Sequence, residues 1–249
     1  MKAQYVGDIG DFGKVLILKH LADLGFRLGI HWMLTANDDR ADGKHRAYAG
    51  YFGGDCLCCC DEEVFERILP LARMSKDDRS IADLEELIRH FCGEVGFFSS
   101  EYSNSRSHSL RDGEAFDALS PQLANLIFFD PDNGIGGDDE LSEKHVYLQE
   151  LKRYWDRGQS LLIYHHLSRA GFHEQQIASL KTVIKREMSG GAVWAYRLCR
   201  GTARAYFLVV QPEHYERFAE DGSIPSITAL QATKSQWARE SRRCTKHIR

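Results

Sequence analysis

The chain has 249 residues, 43% hydrophobic and 27% charged, with 32 Lys plus Arg against 36 Asp plus Glu, a net charge of −4. This balance belongs to a folded globular chain and excludes collagen-like, coiled-coil and disordered classes. It also excludes a uniformly basic nucleic-acid coat, while leaving a local basic patch open. No apolar run approaches the roughly 18 residues of a membrane helix, and the N-terminus does not read as a signal peptide. The seven Cys are odd in number and irregular in spacing, unlike a disulfide framework. A reducing cytoplasm is the expected setting.

The first predicted helix is Phe12–Leu24, with Val15, Leu18, Leu21 and Ala22 at helical spacing, Asp11 as N-cap and Gly25 as stop. Gly7-Asp8-Ile9-Gly10-Asp11-Phe12-Gly13-Lys14 opens it. Its glycines permit close backbone approach, and free N–H groups at a helix start attract anions. A plain turn with a capping Asp explains the same residues, and the spacing of a P-loop is absent. Leu28–Thr35 reads as a buried strand, followed by the polar loop Ala36-Asn37-Asp38-Asp39 with Asp42 and Gly43. Cys56-Leu57-Cys58-Cys59-Cys60 is dense in thiols, but a tetrahedral zinc site needs pairs set apart. Glu62–Arg73 and Ile81–Phe91 are amphipathic, a helical insertion near 61–92 expected to cap one end. Gly96–Ser99 is a short strand and Gly113–Leu119 a helix. Asn125–Asp130 is the strongest strand of the first half. Glu143–Trp155 is a helix closed by Gly158, Ser160–His165 a strand and Glu174–Glu187 a helix. Val193–Leu198 and Ala203–Val210 are strands joined across Arg200-Gly201-Thr202, a hairpin-like spacing.

Continuous apolar strands separated by helices imply an α/β fold, a mostly parallel sheet with helices on both faces. The closing hairpin adds an antiparallel strand at an edge. Residues 1–230 read as one such domain. Residues 231–249 form a basic C-terminal tail, with Lys234, Arg239, Arg242, Arg243, Lys246 and Arg249 against Glu240. That tail is either a solvated end or an arm that touches nucleic-acid phosphate.

Ligands of such sheets bind beyond the C-terminal ends of the strands, which directs attention to two places. Asp130-Pro131-Asp132-Asn133-Gly134 puts two carboxylates and an amide at one strand tip. Pro131 turns the chain out of the sheet. Tyr164-His165-His166 ends the next strong strand, with Ser168 and Arg169 after it. Adjacent strand side chains point to opposite faces, so one of the two His faces a cleft. Arg169 suits an anion or a phosphate.

Three features together resemble a class I S-adenosylmethionine methyltransferase, a Rossmann-like fold. They are the opening helix Lys14–Leu21, Asp130-Pro131 after an apolar strand, and the closing hairpin Val193–Val210. Within that class the chain is similar to the bacterial 23S ribosomal RNA adenine-N6 methyltransferases and to the three-Cys-motif partner proteins. The resemblance implies S-adenosylmethionine as cofactor, touched by Gly10, Asp11, Lys14 and Asp38. It implies Asp130 as acceptor for the amino group of a base, with Asp132, Asn133 and His165 beside it. His166 and Arg169 would meet the substrate, and the tail nucleic acid. No G-x-G follows the first strand, and Asp132-Asn133 stand where the family motif has Pro and an aromatic ring.

Two other readings stay open. Asp8, Asp11, Asp130, Asp132 and His165 could hold Mg²⁺ or Mn²⁺ in a metal-dependent phosphodiesterase or nuclease. The chain could equally be a binding module that kept the sheet without its chemistry. Oligomeric state is not legible in the sequence.

Overall fold

The computed structural model describes residues 1–37, 60–101, 108–137, 142–198, 202–218 and 223–224. The loop carrying Asp38, Asp39, Asp42 and Cys56–Cys59, and the basic tail from 231, lie outside the described residues.

The elements in chain order are α1 (Ile9–Asp23), β1 (Leu28–Leu34), α2 (Glu62–Arg73), α3 (Ile81–Cys92), β2 (Val95–Glu101), α4 (His108–Ala118) and β3 (Leu126–Asp130). There follow β4 (Gly134–Ile135), β5 (His145–Val146), α5 (Leu148–Trp155), β6 (Ser160–His166), α6 (His173–Glu187), β7 (Ala192–Leu198) and β8 (Arg204–Val210). The main sheet has six strands in the order β2-β1-β3-β6-β8-β7. β2, β1, β3 and β6 run parallel, and β8 is antiparallel to both β6 and β7. The α/β class and the antiparallel hairpin stand as the sequence predicts. The reversed strand is not at the edge, however: β8 lies one strand in and β7 forms the edge.

Strand alternation divides the core between the two faces. Leu28, Ile30, Trp32, Leu126, Phe128, Leu162, Tyr206 and Leu208 point to one face, where α1, α2 and α3 cover them. Ile127, Phe129, Leu161, Ile163, Phe207 and Val209 point to the other, against Leu151 and Tyr154 of α5 and Ile184 of α6. Each such side chain, fully buried, contributes about 1.5–3 kcal/mol. This two-sided burial explains why the central strands read as unbroken apolar runs. The insertion near 61–92 is the connection from β1 to β2, and its helices pack beside α1 on one sheet face.

Several boundaries differ from the sequence reading, the helix expected at Gly113–Leu119 starting at His108 and the strand expected at Gly96–Ser99 running over Val95–Glu101, and two of the differences have identifiable reasons. Helix α1 starts three residues earlier, because Asp8 and not Asp11 is its N-cap. The Asp8 carboxylate accepts from the N–H groups of Gly10 and Asp11 at 2.6 and 2.9 Å. Helix α5 starts later than Glu143, because His145–Val146 pairs with Gly134–Ile135 in a small parallel ladder. That pairing joins two-residue strands eleven positions apart and is too short to leave a trace in local periodicity.

The topology fixes where a site belongs. From β1 the chain moves outward to β2, then returns to β3 on the other side of β1. The C-terminal ends of β1 and β3 therefore flank a switch point, the usual place for a ligand crevice in such sheets.

Candidate functional site

Four chain segments meet at this switch point. The first is the start of α1, preceded by Met1–Gly7. The second is Thr35, just after β1. The third is Asp130–Gly134, leaving β3. The fourth is the hairpin strand β8, entering at Arg204. The N-terminal segment crosses the strand tips: the Thr35 N–H donates to the Met1 carbonyl at 2.8 Å, and the Gln4 N–H to Asn37 Oδ1 at 3.2 Å.

At the centre is a buried ionic cluster. Lys14 Nζ donates to Asp11 Oδ1 at 2.7 Å and to Asp130 Oδ2 at 2.8 Å, and all three residues are buried. The ammonium also lies 5.2 Å from the Trp32 ring centroid and 5.9 Å from that of Phe128, within cation–π range. Burial opposes charge on Lys14, but Asp11 and Asp130 outweigh it and hold its pKa well above the ordinary value. Burial pushes the Asp11 carboxyl up to about 6, with Lys14 opposing and Asp8 adding to the rise. Asp11 Oδ2 also accepts from the Gly7 N–H at 2.9 Å. Asp132 pairs with the Met1 amino group at 2.8 Å and accepts from the Thr35 hydroxyl at 2.5 Å.

This geometry sorts the predicted residues. Asp11, Lys14 and Asp130 are brought together, but they face one another rather than solvent. Gly10 is at the helix start as expected, yet Asp8 already satisfies its N–H. The sequence expectation of free N–H groups at this turn is thus corrected: a side-chain carboxylate takes the place of an external anion. Asp132 is half-buried at the rim. Asn133 is exposed, and its backbone is clamped on both sides. Its N–H donates to the Lys144 carbonyl at 2.9 Å, and its carbonyl accepts from the His166 N–H at 3.0 Å. The Asn133 amide is therefore presented from a fixed backbone.

His165 and His166 end β6 and are both half-buried. His165 Nδ1 accepts from the Ile135 N–H at 3.1 Å, which requires an unprotonated Nδ1 and leaves the hydrogen on Nε2. Burial, then the neighbouring His166 and His145, push the His165 pKa down to about 4. An unfolded His titrates near 6.5. As pH falls from 6.5 to 4 the unfolded chain takes up a proton that the folded chain refuses, so stability declines through that window. The loss attributable to His165 should reach about 3 kcal/mol. In His165→Asn the amide oxygen can still accept from Ile135, and the loss should be absent. Urea midpoints at pH 7.0 and 4.5 for both proteins measure the difference, with Asp11 cancelling between them.

Several contributors escaped the sequence reading. Arg204 is buried, and its Nη2 donates to Thr202 Oγ1 at 2.8 Å. Its Nη1 lies 3.9 Å from Asp8 Oδ1, and its Nε has no partner among the described residues. The guanidinium fills the space beside Gly10, where an added Cβ would fall 1.4 Å from Nη1. Tyr206 donates its hydroxyl to the Gly10 carbonyl at 3.3 Å. The available signal was a lone Arg at the head of an apolar strand, a cation that must find anionic company when buried. Thr35 and Trp32 carried no such signal.

Among the described residues, no group of three or more His, Cys, Asp and Glu is arranged to hold a metal ion. Lys14 supplies the positive charge between Asp11 and Asp130. Cys60, the one residue of the Cys56–Cys60 cluster among the described residues, is half-buried. No described helix is long and apolar enough to cross a membrane. Fold and site together describe an α/β protein, compatible with a Rossmann-like fold, with a buried polar cluster at its switch point. Comparisons with protein-family models, curated proteins and solved structures find no match.

Proposed function

We propose that the protein is an S-adenosylmethionine-dependent methyltransferase-like enzyme acting on nucleic acid. The observation that carries this reading is the sheet order β2-β1-β3-β6-β8-β7, with the reversed β8 between β6 and the edge strand. The methyltransferase sheet closes with the same reversed hairpin. Asp130-Pro131 at the switch point adds to it.

The residues present suit the cofactor's amino-acid end. Arg204, with an orphaned Nε among the described residues, offers a cation for a carboxylate. S-adenosylmethionine supplies an electrophilic methyl group when bound. The chain's own contribution is positioning. Asn133, on its clamped backbone, hydrogen-bonds the base that carries the acceptor nitrogen. Asp130 is a positioning residue: tied to Lys14, it fixes the turn that presents Asn133. This moves the substrate-facing role from Asp130, as the resemblance implies it, to Asn133. The metal-dependent reading has less support, because the same carboxylates are already paired with ammonium groups.

Calorimetric titration of the metal-free protein with S-adenosylmethionine should show micromolar binding. Asn133→Ala should leave that affinity unchanged and lower methyl transfer about 100-fold, a transition-state loss of about 3 kcal/mol. No binding at millimolar ligand rejects the proposal.

A further inference from the structure

Phe172 is 72% exposed, one of two large hydrophobic side chains so exposed among the described residues. It follows β6 by six residues, at the same sheet end as Asn133, and the His166 N–H at the start of this loop bonds the Asn133 carbonyl.

The loop is held rigid although it is exposed. The Gln176 side chain reaches back to it three times. Gln176 Oε1 accepts from the Ser168 N–H at 2.9 Å, and Nε2 donates to the carbonyls of Ser168 and Ala170, each at 3.0 Å. Ser168 Oγ accepts from the Ala170 N–H at 3.0 Å. Gly171, at φ +82°, makes the turn that delivers Phe172 to the start of α6. A stiff loop presenting an aromatic side chain to water gains nothing for the core. It does lower the entropic cost of placing a flat ligand on the ring.

The charges around the ring favour a polyanion. Arg169 is exposed in the same loop and engages no carboxylate among the described residues. His166 and His173 flank it. The nearest carboxylate in sequence, Glu174, is paired with Arg197. An exposed π-face and an exposed cation three residues apart in one loop suit the recognition of an unpaired nucleobase and its phosphate.

We propose that Phe172 is the stacking platform for an unpaired base and Arg169 its phosphate contact, so that the substrate is single-stranded nucleic acid. This rests on the reading of nucleic acid as substrate and specifies the strand state and the residue that recognises it. Fluorescence anisotropy with labelled single strands of about 12 nucleotides, RNA and DNA, and with a duplex of equal length, tests it without cofactor. The wild type should bind single strands more tightly than duplex, and a preference between RNA and DNA then assigns the sugar. Phe172→Ala should weaken single-strand binding about tenfold, while Phe172→Trp retains it. Arg169→Ala should lower the slope of log affinity against log salt by about 0.7. Because Phe172 and Arg169 are both exposed, all three variants should melt with the wild type. Equal affinity of Phe172→Ala and wild type, preference for duplex, or no binding to any oligonucleotide overturns the assignment. Binding of single strands through Phe172 without binding of S-adenosylmethionine would keep this assignment and reject methyl transfer.

Discussion

Lys14→Met should destabilise the protein by about 3–5 kcal/mol at pH 7. The substitution keeps most of the side chain's length and its packing near Trp32 and Phe128, and removes the ammonium with its charge and its donors to Asp11 and Asp130. Asp11 and Asp130 are then buried carboxylates without their shared cation. An uncompensated buried charge costs far more than the pair itself gains, because each ion has already lost its water. The sign of the pH dependence follows. In the variant the folded-state pKa of the Asp11 carboxyl, already raised by burial, rises further above the unfolded value once Lys14 no longer opposes it. The folded form then takes up protons first, and the defect should shrink as pH falls from 7 to 5. Urea unfolding at the two pH values reads this directly. The double variant Lys14→Met with Asp130→Asn should recover much of the loss at pH 7, since one orphaned charge is gone. A defect that grows on acidification would show that the ammonium is not what holds the cluster.

Gly134→Ala should cost about 3 kcal/mol or more and should disorder the end of β6. Gly134 has φ +110°, a region that L side chains rarely adopt. An added Cβ would also lie 2.5 Å from His165 Nδ1 and 2.6 Å from His165 Cα. The ring could rotate away, but the backbone atom could not. Because the next residue donates to His165 Nδ1, the clash would break that bond too. Thermal melting should show the loss. The imidazole NMR signal of His165 should move toward ordinary titration behaviour. An unchanged midpoint would mean that β4 is free to move away from β6.

The sequence made the sheet legible because burial on both faces writes the central strands as continuous apolar segments. Leu126–Asp130 and Ser160–His166 are the plainest cases. The helices α2 and α3 were legible through their apolar stripes and polar opposite faces. What local periodicity could not show was order in space: that β8 inserts between β6 and β7, or that Val146 reaches back to Ile135. At the candidate site, Asp130, Asp132, Asn133, His165 and Lys14 are singled out by the sequence because polar residues at strand tips and helix starts stand out against their neighbours. Their mutual neutralisation was not legible, since Asp130 and Lys14 are 116 residues apart. Phe172 was passed over for a similar reason. A single aromatic residue in a loop looks the same in sequence whether it packs inward or stands in water.

The place of β8 has a bearing on biosynthesis. It is the last strand of the main sheet to be translated, yet all seven of its residues are buried and it fills an interior position. Until it emerges from the ribosome, β6 has an unpaired edge and β7 has no partner strand. An unpaired strand edge is a template for association with other chains. A nascent chain stopped before Arg204 should therefore be a substrate for holdase chaperones, and one released after Val210 should not. Completion of the sheet is in this sense a late checkpoint. The strand that ends the wait is the same one that brings Arg204 and Tyr206 to the start of α1, so the polar site is finished only when the sheet is closed.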